Sequence, residues 1–360
     1  MAKLWGKELS KKEILQRVGN LSQLVSVKSY TMDSGRSDGV KAIQVTNGSG
    51  LDFTVLEDKC LDIAEIKFKG VNLSFVTKPG IVAPEFFNPD SMEFLRTFQG
   101  GALYTCGLSN VGSGCTENGT TYGLHGRIGH IPAENTGVNS YWKGDEYFID
   151  IYGEMRQAAL FSENLVLRRL ISTKAGSKSF KIHDVVENQG FEEQPLMLLY
   201  HFNLGYPLLD EYSKFLLPGC ETAPRDEEAK KGIAEYDSFI APLDRFNEQV
   251  FYHKAASDEN YDTCAGLINE SINLGIYIRY NTRQLPRLIQ WKSMKSGDYV
   301  LGIEPSNCLV EGRVKERERG TLESIPPMAE RVFDLEFGVL EGASEIESFK
   351  KEIEILKNQN

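Results

Sequence analysis

The sequence predicts a mainly β protein, a large and mostly antiparallel β-sandwich with a short helix at each end. Roughly fifteen or more short apolar or alternating runs follow one another from about residue 25, which is typical of strands. Gly, Asn and Asp separate these runs, as in the hairpin signal Asn47-Gly48-Ser49-Gly50. Helical spacing of apolar residues occurs only near the two ends of the chain. These observations favour layered antiparallel sheets.

The two ends carry the helical patterns. Residues 1–24 are predicted to be a helical segment capped by Ser10. The apolar residues at helical spacing there are Ile14, Leu15, Val18 and Leu21. Residues 343–360 show the same spacing and are expected to be a helix packed on the main domain. No repeat or linker composition interrupts residues 25–342, so we expect them to be one β-sandwich domain.

Two stretches depart from the strand pattern. Residues 79–114 are rich in Gly, Pro and Phe, and long irregular segments inside compact domains are more often functional than decorative. We therefore expect this stretch to build one wall of a cleft. Residues 221–247 are strongly charged and are predicted to be a solvated surface excursion.

The composition bounds the partners and the location of the protein. It is ordinary for a globular chain, with 41% hydrophobic and 25% charged residues. A formal net charge of −11 argues against nucleic acid or an anionic membrane as the main partner. The first residues lack the apolar core of a signal peptide, so a cytoplasmic location is expected. Six scattered cysteines without a Cys-x-x-Cys pair are expected to be reduced thiols.

Three distant segments each place ionisable or amide side chains among Gly, aromatic and aliphatic residues. They are Thr121–His130, Tyr200–Pro207 and Leu301–Asn307. An ionisable group in such surroundings is either solvated at a turn or held in a pocket, because burying it unpaired is costly. We expect the fold to assemble one site from His125, His201 and Glu304.

Each of these residues also has a structural explanation. His125 lies among glycines that let the backbone approach a ligand, and Arg127 beside it could bind hydroxyls or a carboxylate. The alternative for His125 is a loop histidine that is hydrogen-bonded to the backbone. His201 and Asn203 share one face of a strand, so we expect both to point into one cleft, with Asn203 as a substrate-binding residue. His201 is either a general acid there or a satisfied core histidine. Glu304 ends an apolar strand, as the base of an acid–base pair or as a carboxylate turned to water.

As a set, these motifs resemble those of galactose mutarotase (aldose 1-epimerase)-like proteins, and most closely a less characterised branch of that superfamily. The resemblance covers roughly residues 50–340. Besides the three segments above, it includes Leu56–Asp62, Phe98–Leu108 and Gln290-Trp291-Lys292. It implies a large β-sandwich of the galactose mutarotase-like supersandwich type, with a sugar cleft on a concave sheet.

The resemblance also implies roles for the three residues. Glu304 matches the general base that takes the proton from the anomeric hydroxyl of a cyclic sugar. His201 matches the acid that protonates the ring oxygen, after which the ring opens, the C1–C2 bond rotates and reclosure inverts the anomer. His125 would bind at the ring-oxygen side. This chemistry implies no cofactor and no metal.

The sequence departs from the family at two sugar-binding positions. An Asn-Arg pair expected upstream of the first histidine is not evident. The candidates to replace that arginine are Arg127, Arg96 and Lys59. These cations would suit an acidic or phosphorylated sugar if several of them face the cleft. Asp62 and Asp210 are candidates for the family's hydroxyl-binding aspartate, and Trp291 either stacks on a sugar or is buried in the sheet.

The resulting hypothesis is an isomerase of the aldose 1-epimerase type acting on a free or modified small-molecule sugar. A non-catalytic sugar sensor on the same fold and a sugar isomerase or lyase using the same cleft are the alternatives. A cupin-like metal enzyme would draw on His125, His130, His201 and Glu304, but the His-x-His pair typical of cupins is absent. Monomer and homodimer both remain open.

Overall fold

The computed structural model describes residues 2–4 and 6–358, and in them strands dominate. The strands of the first half are β1 (Ala2–Leu4), β2 (Lys7–Leu9), β3 (Ser26–Thr31), β4 (Lys41–Thr46), β5 (Leu51–Leu56), β6 (Asp62–Phe68), β7 (Val71–Asn72), β8 (Tyr104–Leu108), β9 (Cys115–Glu117), β10 (Thr120–Tyr122), β11 (Glu134–Lys143), β12 (Glu146–Ala158) and β13 (Asn164–Lys174). Those of the second half are β14 (Ser179–Asn188), β15 (Gln194–Pro195), β16 (Met197–Leu204), β17 (Ser213–Leu216), β18 (Gly219–Pro224), β19 (Gln249–Ala255), β20 (Asp262–Asn269), β21 (Leu274–Asn281), β22 (Arg287–Lys295), β23 (Asp298–Ser306), β24 (Ser324–Ile325) and β25 (Glu330–Glu341).

Helices are short, apart from the last one. The α-helices are α1 (Lys11–Leu15), α2 (Glu227–Lys231), α3 (Arg313–Arg319) and α4 (Gly342–Lys357). The 3₁₀ turns are Leu21–Gln23, Gly35–Ser37, Pro84–Phe86, Ser91–Arg96, Ile128–His130 and Ile233–Glu235. Within the part of the chain that the structure describes, no helix is long and apolar enough to cross a membrane. The predicted mainly β fold is confirmed.

Three large sheets, each built from antiparallel neighbours, make up the body of the described chain. The largest has eight strands in the order β11-β12-β13-β14-β25-β21-β20-β17. The second has six, β18-β19-β22-β23-β16-β8, and the third has five, β3-β4-β5-β6-β7. Strands distant in sequence are therefore neighbours in space: β16 pairs with both β8 and β23. The main hydrophobic core draws on all three sheets.

Strand β16 belongs to two different environments. Every one of its residues is buried, as predicted for a central strand. Successive side chains of a strand point to opposite faces. Tyr200 and Phe202 accordingly join the main core, whereas Met197 and Leu199 join a smaller cluster on the other face, rich in aromatic residues. The His201 side chain points to the same face as Met197 and Leu199, which is the face that carries the cleft described below.

A buried guanidinium joins the three large sheets. Arg169 on β13 contacts Asp184 on β14 at 2.7 Å and Asp62 on β6 at 2.8 Å, and all three side chains are inaccessible to solvent or nearly so. Asp62 also accepts hydrogen bonds from the amide and hydroxyl of Thr105 on β8, and Asp184 accepts one from the Tyr200 hydroxyl. The charges are thus paired and hydrogen-bonded, the condition under which buried charge is tolerated.

The prediction for the N-terminus is wrong over most of its length. Instead of a helical segment over 1–24, the described residues form the hairpin β1–β2, the single-turn helix α1 and one 3₁₀ turn. Ser10 does cap α1, in a reciprocal capping box with Glu13. The helix ends after one turn, because Ile14 is the one buried residue of α1 and longer helices are stabilised mainly by packing of an apolar face.

The helix expected at the C-terminus is present as α4. Its buried residues, Ile346, Phe349, Ile353 and Leu356, pack on the outer face of the eight-stranded sheet against Cys264, Ile268 and Leu340. The five cysteines with described side chains, Cys60, Cys106, Cys115, Cys264 and Cys308, are free.

Two adjacent arginines provide a test of the buried network. Arg169→Met should lower the free energy of unfolding by about 3–5 kcal/mol, because it leaves Asp62 and Asp184 buried without a cation. Arg168→Met is the matched control, since Arg168 pairs with Glu187 and Glu330 at the surface and should change stability by at most about 1 kcal/mol. Urea unfolding of both variants measures the difference. Equal losses of unfolding free energy would show that the buried network stabilises the fold no more than the surface ion pairs do.

Candidate active site

A cleft of about 890 Å³ opens on the face of the six-stranded sheet that carries His201 and Glu304. One wall comes from the segment 79–114, through Phe94 and Phe98. The predicted contribution of this segment to a cleft is confirmed, although it also contains β8, an edge strand of the six-stranded sheet, which the sequence pattern did not reveal. Clefts of this size are the usual sites for small ligands.

His201 and Glu304 meet on the cleft floor. The pairs Leu199–Ser306 and Phe202–Ile303 set the register between β16 and β23, which brings the two side chains side by side. His201 Nε2 lies 3.2 Å from Glu304 Oε1, and the side chains are only 7% and 2% exposed. Glu304 Oε1 and His201 Nδ1 are buried atoms without a hydrogen-bond partner in the described chain. Buried polar atoms are normally bonded, so unsatisfied ones at a cleft floor are typical of a functional site.

Burial acts in opposite directions on the two groups. It raises the pKa of the Glu304 carboxyl well above its usual range, with repulsion from Glu248 adding to the shift and Arg225 opposing it. It lowers the pKa of the His201 imidazole well below 6.5, with His125 adding to the shift and the Asn203 side chain opposing it. Both shifts disfavour the charged forms, that is, the carboxylate of Glu304 and the imidazolium of His201. Groups with pKa values perturbed in this way concentrate at active sites.

Gly302 leaves the space that the Glu304 carboxyl occupies. An added Cβ at position 302 would lie 2.5 Å from Glu304 Oε1, 3.0 Å from the Trp291 Cβ and 3.1 Å from His201 Cε1. Two residues apart on β23, Gly302 and Glu304 share one face, so the carboxyl can fold back over the glycine. Any other residue at 302 would displace the pair.

His125 lies in the same cleft, with its ring 5.8 Å from the His201 ring, measured between centroids. Its backbone adopts φ of +58°, a left-handed conformation held by hydrogen bonds to Gly107 and Gly112. His125 Nδ1 accepts a hydrogen bond from the Gly112 amide at 3.3 Å, which leaves the proton of the neutral ring on Nε2. Burial lowers the pKa of His125 to about 4.

Trp291 lines the cleft as well, edge-on to His201 with 5.4 Å between ring centroids. Its indole Nε1 donates to Glu248 at 2.8 Å, and Arg225 contacts the other oxygen of Glu248 at 3.2 Å and Asp226 at 2.9 Å. Neither Glu248 nor Arg225 was predicted as a site residue. The charged run 221–247 was interpreted as a solvated excursion, which is wrong at its start, because Arg225 follows β18 and faces the cleft.

A signal for this strand did exist in the sequence. Gly219–Pro224 is a short run without helical spacing that ends in proline, a residue confined within sheets to edges and strand ends. Strand β18 is indeed the edge of the six-stranded sheet. The charged residues that follow Pro224 concealed this strand signal, because they are typical of a surface loop.

Asn203 lies on the same face of β16 as His201 but does not line the cleft. The expectation that both side chains would point into the cleft is therefore wrong for Asn203. It is fully buried beneath the histidine, and its Nδ2 donates to the His201 carbonyl at 2.8 Å. Its Oδ1 has no partner in the described chain. The residue therefore supports His201 from below and cannot reach a ligand.

Lys59 and Asp62, proposed as sugar ligands, lie behind the cleft. Lys59 is fully buried and donates to the carbonyls of Val82 and Thr97 at 3.2 and 3.0 Å, and burial lowers its pKa to about 7. Asp62 belongs to the Arg169 network, and burial raises its pKa to about 6. Both residues therefore fill structural roles, and neither lines the cleft.

The two remaining cation candidates point to solvent. Arg96 forms an exposed ion pair with Glu93 at 3.0 Å, and Arg127 is exposed beside the turn that holds His125. Neither residue lines the cleft. Asp210, the second candidate for the family aspartate, bonds to the Ser213 hydroxyl in a local turn. None of the three cations expected to select an acidic sugar therefore faces the ligand space.

The ligand set considered for a cupin-like metal site is not assembled. His130 packs against Phe87 and bonds through Nδ1 to the Tyr104 hydroxyl at 2.9 Å, away from the cleft. Over residues 2–4 and 6–358, no group of three or more His, Cys, Asp and Glu side chains is arranged to hold a metal ion.

The model of one known protein family matches most of the chain. The family described as "Domain of unknown function (DUF4432)" matches residues 37–339. The chain belongs to the DUF4432 family. No curated protein matches this DUF4432 chain.

Solved structures resemble this DUF4432 protein over nearly its whole length. A putative aldose 1-epimerase from Klebsiella pneumoniae is 27% identical, with a TM-score of 0.89 over 94% of this chain and 91% of that one. A galactose mutarotase-like protein from Clostridium acetobutylicum is 16% identical, with a TM-score of 0.61 over 89% of this chain and 99% of that one. A galactose 1-epimerase from Lactobacillus acidophilus is 13% identical, with a TM-score of 0.57 over 88% of this chain and 99% of that one. The galactose mutarotase-like fold predicted from the motifs is confirmed.

The protonation states of the cleft histidines can be measured. Both His125 and His201 should remain neutral when the pH is lowered from 8 to 6.5, because burial holds the pKa of each below 6.5. NMR of ¹⁵N-labelled imidazoles, assigned with His125→Gln and His201→Gln, reports the protonation of each ring directly. A titration midpoint at or above 6.5 for either ring would contradict the buried geometry described here.

Proposed function

We propose that this protein is an aldose 1-epimerase that interconverts the anomers of a neutral sugar, with Glu304 as general base and His201 as general acid. The observation that carries the proposal is the convergence of Glu304 Oε1 and His201 Nε2, 3.2 Å apart on the cleft floor. The two oxygens that must exchange protons in this reaction, the anomeric O1 and the ring O5, are bonded to the same carbon. A base and an acid that act on them must therefore also lie close together.

The reaction follows from this placement. Glu304 takes the proton of the anomeric hydroxyl, a carbonyl forms at C1, and the C1–O5 bond breaks as His201 gives its proton to O5. Rotation about the C1–C2 bond presents the other face of the carbonyl. On reclosure O5 attacks C1, His201 takes its proton back from O5, and Glu304 gives its proton to O1. The sugar is isomerised without net gain or loss of atoms or electrons, so the step calls for no cofactor.

The pKa shifts of the buried pair are compatible with this cycle. In the free protein the pKa shifts favour neutral forms of both groups. A bound sugar offers a hydroxyl donor to Glu304 and a ring-oxygen acceptor to His201, which favours the ionised carboxylate and the protonated imidazole. The ligand itself thus stabilises the reactive arrangement, in a buried setting where hydrogen bonds to charged groups are strong.

His125 and Trp291 complete the proposed sugar site. His125 carries its proton on Nε2 and can donate to a sugar oxygen, since its Nδ1 is occupied by the Gly112 amide. Trp291 supplies an aromatic face beside the catalytic pair, held in place by the bond from its indole nitrogen to Glu248. Such apolar faces with a few polar groups are typical of small-ligand sites.

The charges of the cleft favour a neutral sugar over the acidic or phosphorylated one considered from sequence. Among the described residues that line the cleft, Arg225 is the cation, and it is already paired with Asp226 and Glu248. The other acidic groups there are Glu304 and Glu311. An anionic substrate would meet repulsion that no unpaired cation offsets.

The first test removes the base. Glu304→Gln preserves the shape of the side chain but cannot accept the anomeric proton, so kcat/KM for anomer exchange should fall by about 10²–10⁴-fold. NMR exchange spectroscopy on a panel of neutral aldoses with wild type and variant measures the rates. Glu65→Gln on β6 is the control and should match wild type. A sugar that binds wild type without faster exchange would point instead to a binding protein on the same fold.

A second test displaces the base without removing it. Gly302→Ala places a methyl group against Glu304 Oε1, so the carboxyl should move and kcat fall by about 10²-fold. Gly19→Ala is the control, since an added Cβ there meets nothing within 4 Å. Circular dichroism establishes that both variants are folded. Wild-type turnover in Gly302→Ala would show that the position of Glu304 is not critical.

A further inference from the structure

Two unsatisfied polar atoms of complementary character are buried on the cleft face of β16. His201 Nδ1 and Asn203 Oδ1 are both closed to solvent and have no hydrogen-bond partner in the described chain. An amide oxygen accepts hydrogen bonds, whereas an imidazole nitrogen donates one when it carries a proton. Because buried polar atoms are normally paired, two unpaired atoms on one face of one strand need an explanation.

The pairing of β16 with β23 places four residues in a square on this face. The pairs Phe202–Ile303 and Asn203–Gly302 put His201 directly opposite Glu304. A Cβ added at Gly302 would lie 3.1 Å from His201 Cε1, so the ring leans over the glycine that faces Asn203. Cε1 is the carbon between the two ring nitrogens. The imidazole therefore has two polar neighbours in the square, Glu304 across the strands and Asn203 along its own strand.

The main chain fixes which end of the Asn203 amide is which. The amide donates to the His201 carbonyl at 2.8 Å, and a carbonyl oxygen only accepts, so the nitrogen must be on that side. Oδ1 is bonded to the same carbon as Nδ2 and therefore stays close to the backbone of His201. Nδ1 is the ring nitrogen nearer to that backbone, since it is bonded to Cγ. The other ring nitrogen, Nε2, lies 3.2 Å from Glu304 Oε1.

We propose that Asn203 is a positioning residue whose Oδ1 holds the proton of the neutral His201 ring on Nδ1, so that Nε2 presents its lone pair to Glu304 and takes up the carboxyl proton when a sugar binds. The second half of this inference rests on the proposed function. In that step the O–H bond of Glu304 breaks and the Nε2–H bond forms, which leaves a carboxylate base and an imidazolium acid. With its proton on Nε2, the neutral ring would direct no lone pair at Glu304, and the carboxyl would stay protonated.

The contact between Nδ1 and Oδ1 strengthens when the ring becomes charged. An imidazolium is a stronger donor than a neutral ring, and catalytic hydrogen bonds often tighten only once the substrate is bound. An interaction that is stronger in the reactive state than in the free protein raises the rate. In agreement with an accepting Oδ1, the Asn203 side chain opposes the lowering of the His201 pKa. The other ionisable groups that act on the floor are His125, Cys106, Arg225 and Glu248.

The tautomer of His201 can be measured without any sugar. In wild type, ¹⁵N NMR of labelled imidazoles should show the proton of the neutral His201 ring on Nδ1. In Asn203→Leu, which keeps the approximate volume but has no acceptor, the proton should move to Nε2. In Asn203→Asp, which keeps an acceptor, it should stay on Nδ1, and the pKa of His201 should rise because a carboxylate favours the imidazolium. A wild-type ring protonated on Nε2 would overturn the proposal, even if neither variant folds.

Kinetics then test the part that Asn203 plays in the reaction. In Asn203→Leu, kcat for anomer exchange should fall by about 10–100-fold, the effect of one hydrogen bond to a charged group. KM should change by less than about twofold, because Asn203 does not line the cleft. Asn269→Leu is the control, since Asn269 is equally buried in β20 and donates to the Leu208 carbonyl at 3.2 Å. Equal losses of kcat in the two variants would contradict a specific role for Asn203.

The two measurements separate this inference from the proposed function. If no sugar shows faster anomer exchange, the epimerase proposal fails, and a proton on Nδ1 that Asn203→Leu displaces still shows that Asn203 sets the tautomer. If exchange is catalysed but the wild-type His201 ring is protonated on Nε2, the epimerase proposal stands and the role of Asn203 is wrong.

Discussion

The structure depends first on one buried guanidinium. Arg169 holds Asp184 of its own sheet and Asp62 of the five-stranded sheet, while Thr105 and Tyr200 tie the six-stranded sheet to the same carboxylates. A charge at this depth is stable only when every partner is in place, so the network fixes the three sheets relative to one another. Tyr200 precedes His201 on β16. The strand that carries the proposed acid is therefore anchored on its core side, which leaves the opposite face free for chemistry.

The cleft floor relies on the same low-dielectric interior for a different purpose. Burial disfavours charge on both Glu304 and His201, because it raises the pKa of the carboxyl and lowers the pKa of the imidazole. Gly302 gives the carboxyl room beside the imidazole, and Asn203 supports His201 from below. Hydrogen bonds in such surroundings are stronger than in water, which would favour the proposed acid–base reaction of this preorganised pair.

Much of the β architecture and the central pair of the candidate site could be predicted from sequence, but the charged residues that line the cleft could not. His125, His201 and Glu304 stood out because ionisable groups inside apolar runs are costly unless they have a purpose. Lys59, Arg96 and Arg127 were considered because their charge could replace the arginine expected from the family, but Lys59 is buried and the two arginines are directed to solvent. Arg225 was overlooked because a charged run normally indicates a solvated surface, and only the strand before it turns this residue inward.

The sequence by itself determined the fold class, since period-two apolar runs and glycine turns leave few alternatives to antiparallel sheets. It also identified His201 and Glu304 as candidates for acid–base chemistry, because the type of a residue and its apolar sequence neighbours can be read from the sequence alone. Only the tertiary structure decided that His201 and Glu304 lie 3.2 Å apart, and that Arg225 faces the cleft instead of Arg127. Those distances depend on strand order and register between segments about a hundred residues apart. A shift of one residue in that register would turn either side chain to the other face of the sheet.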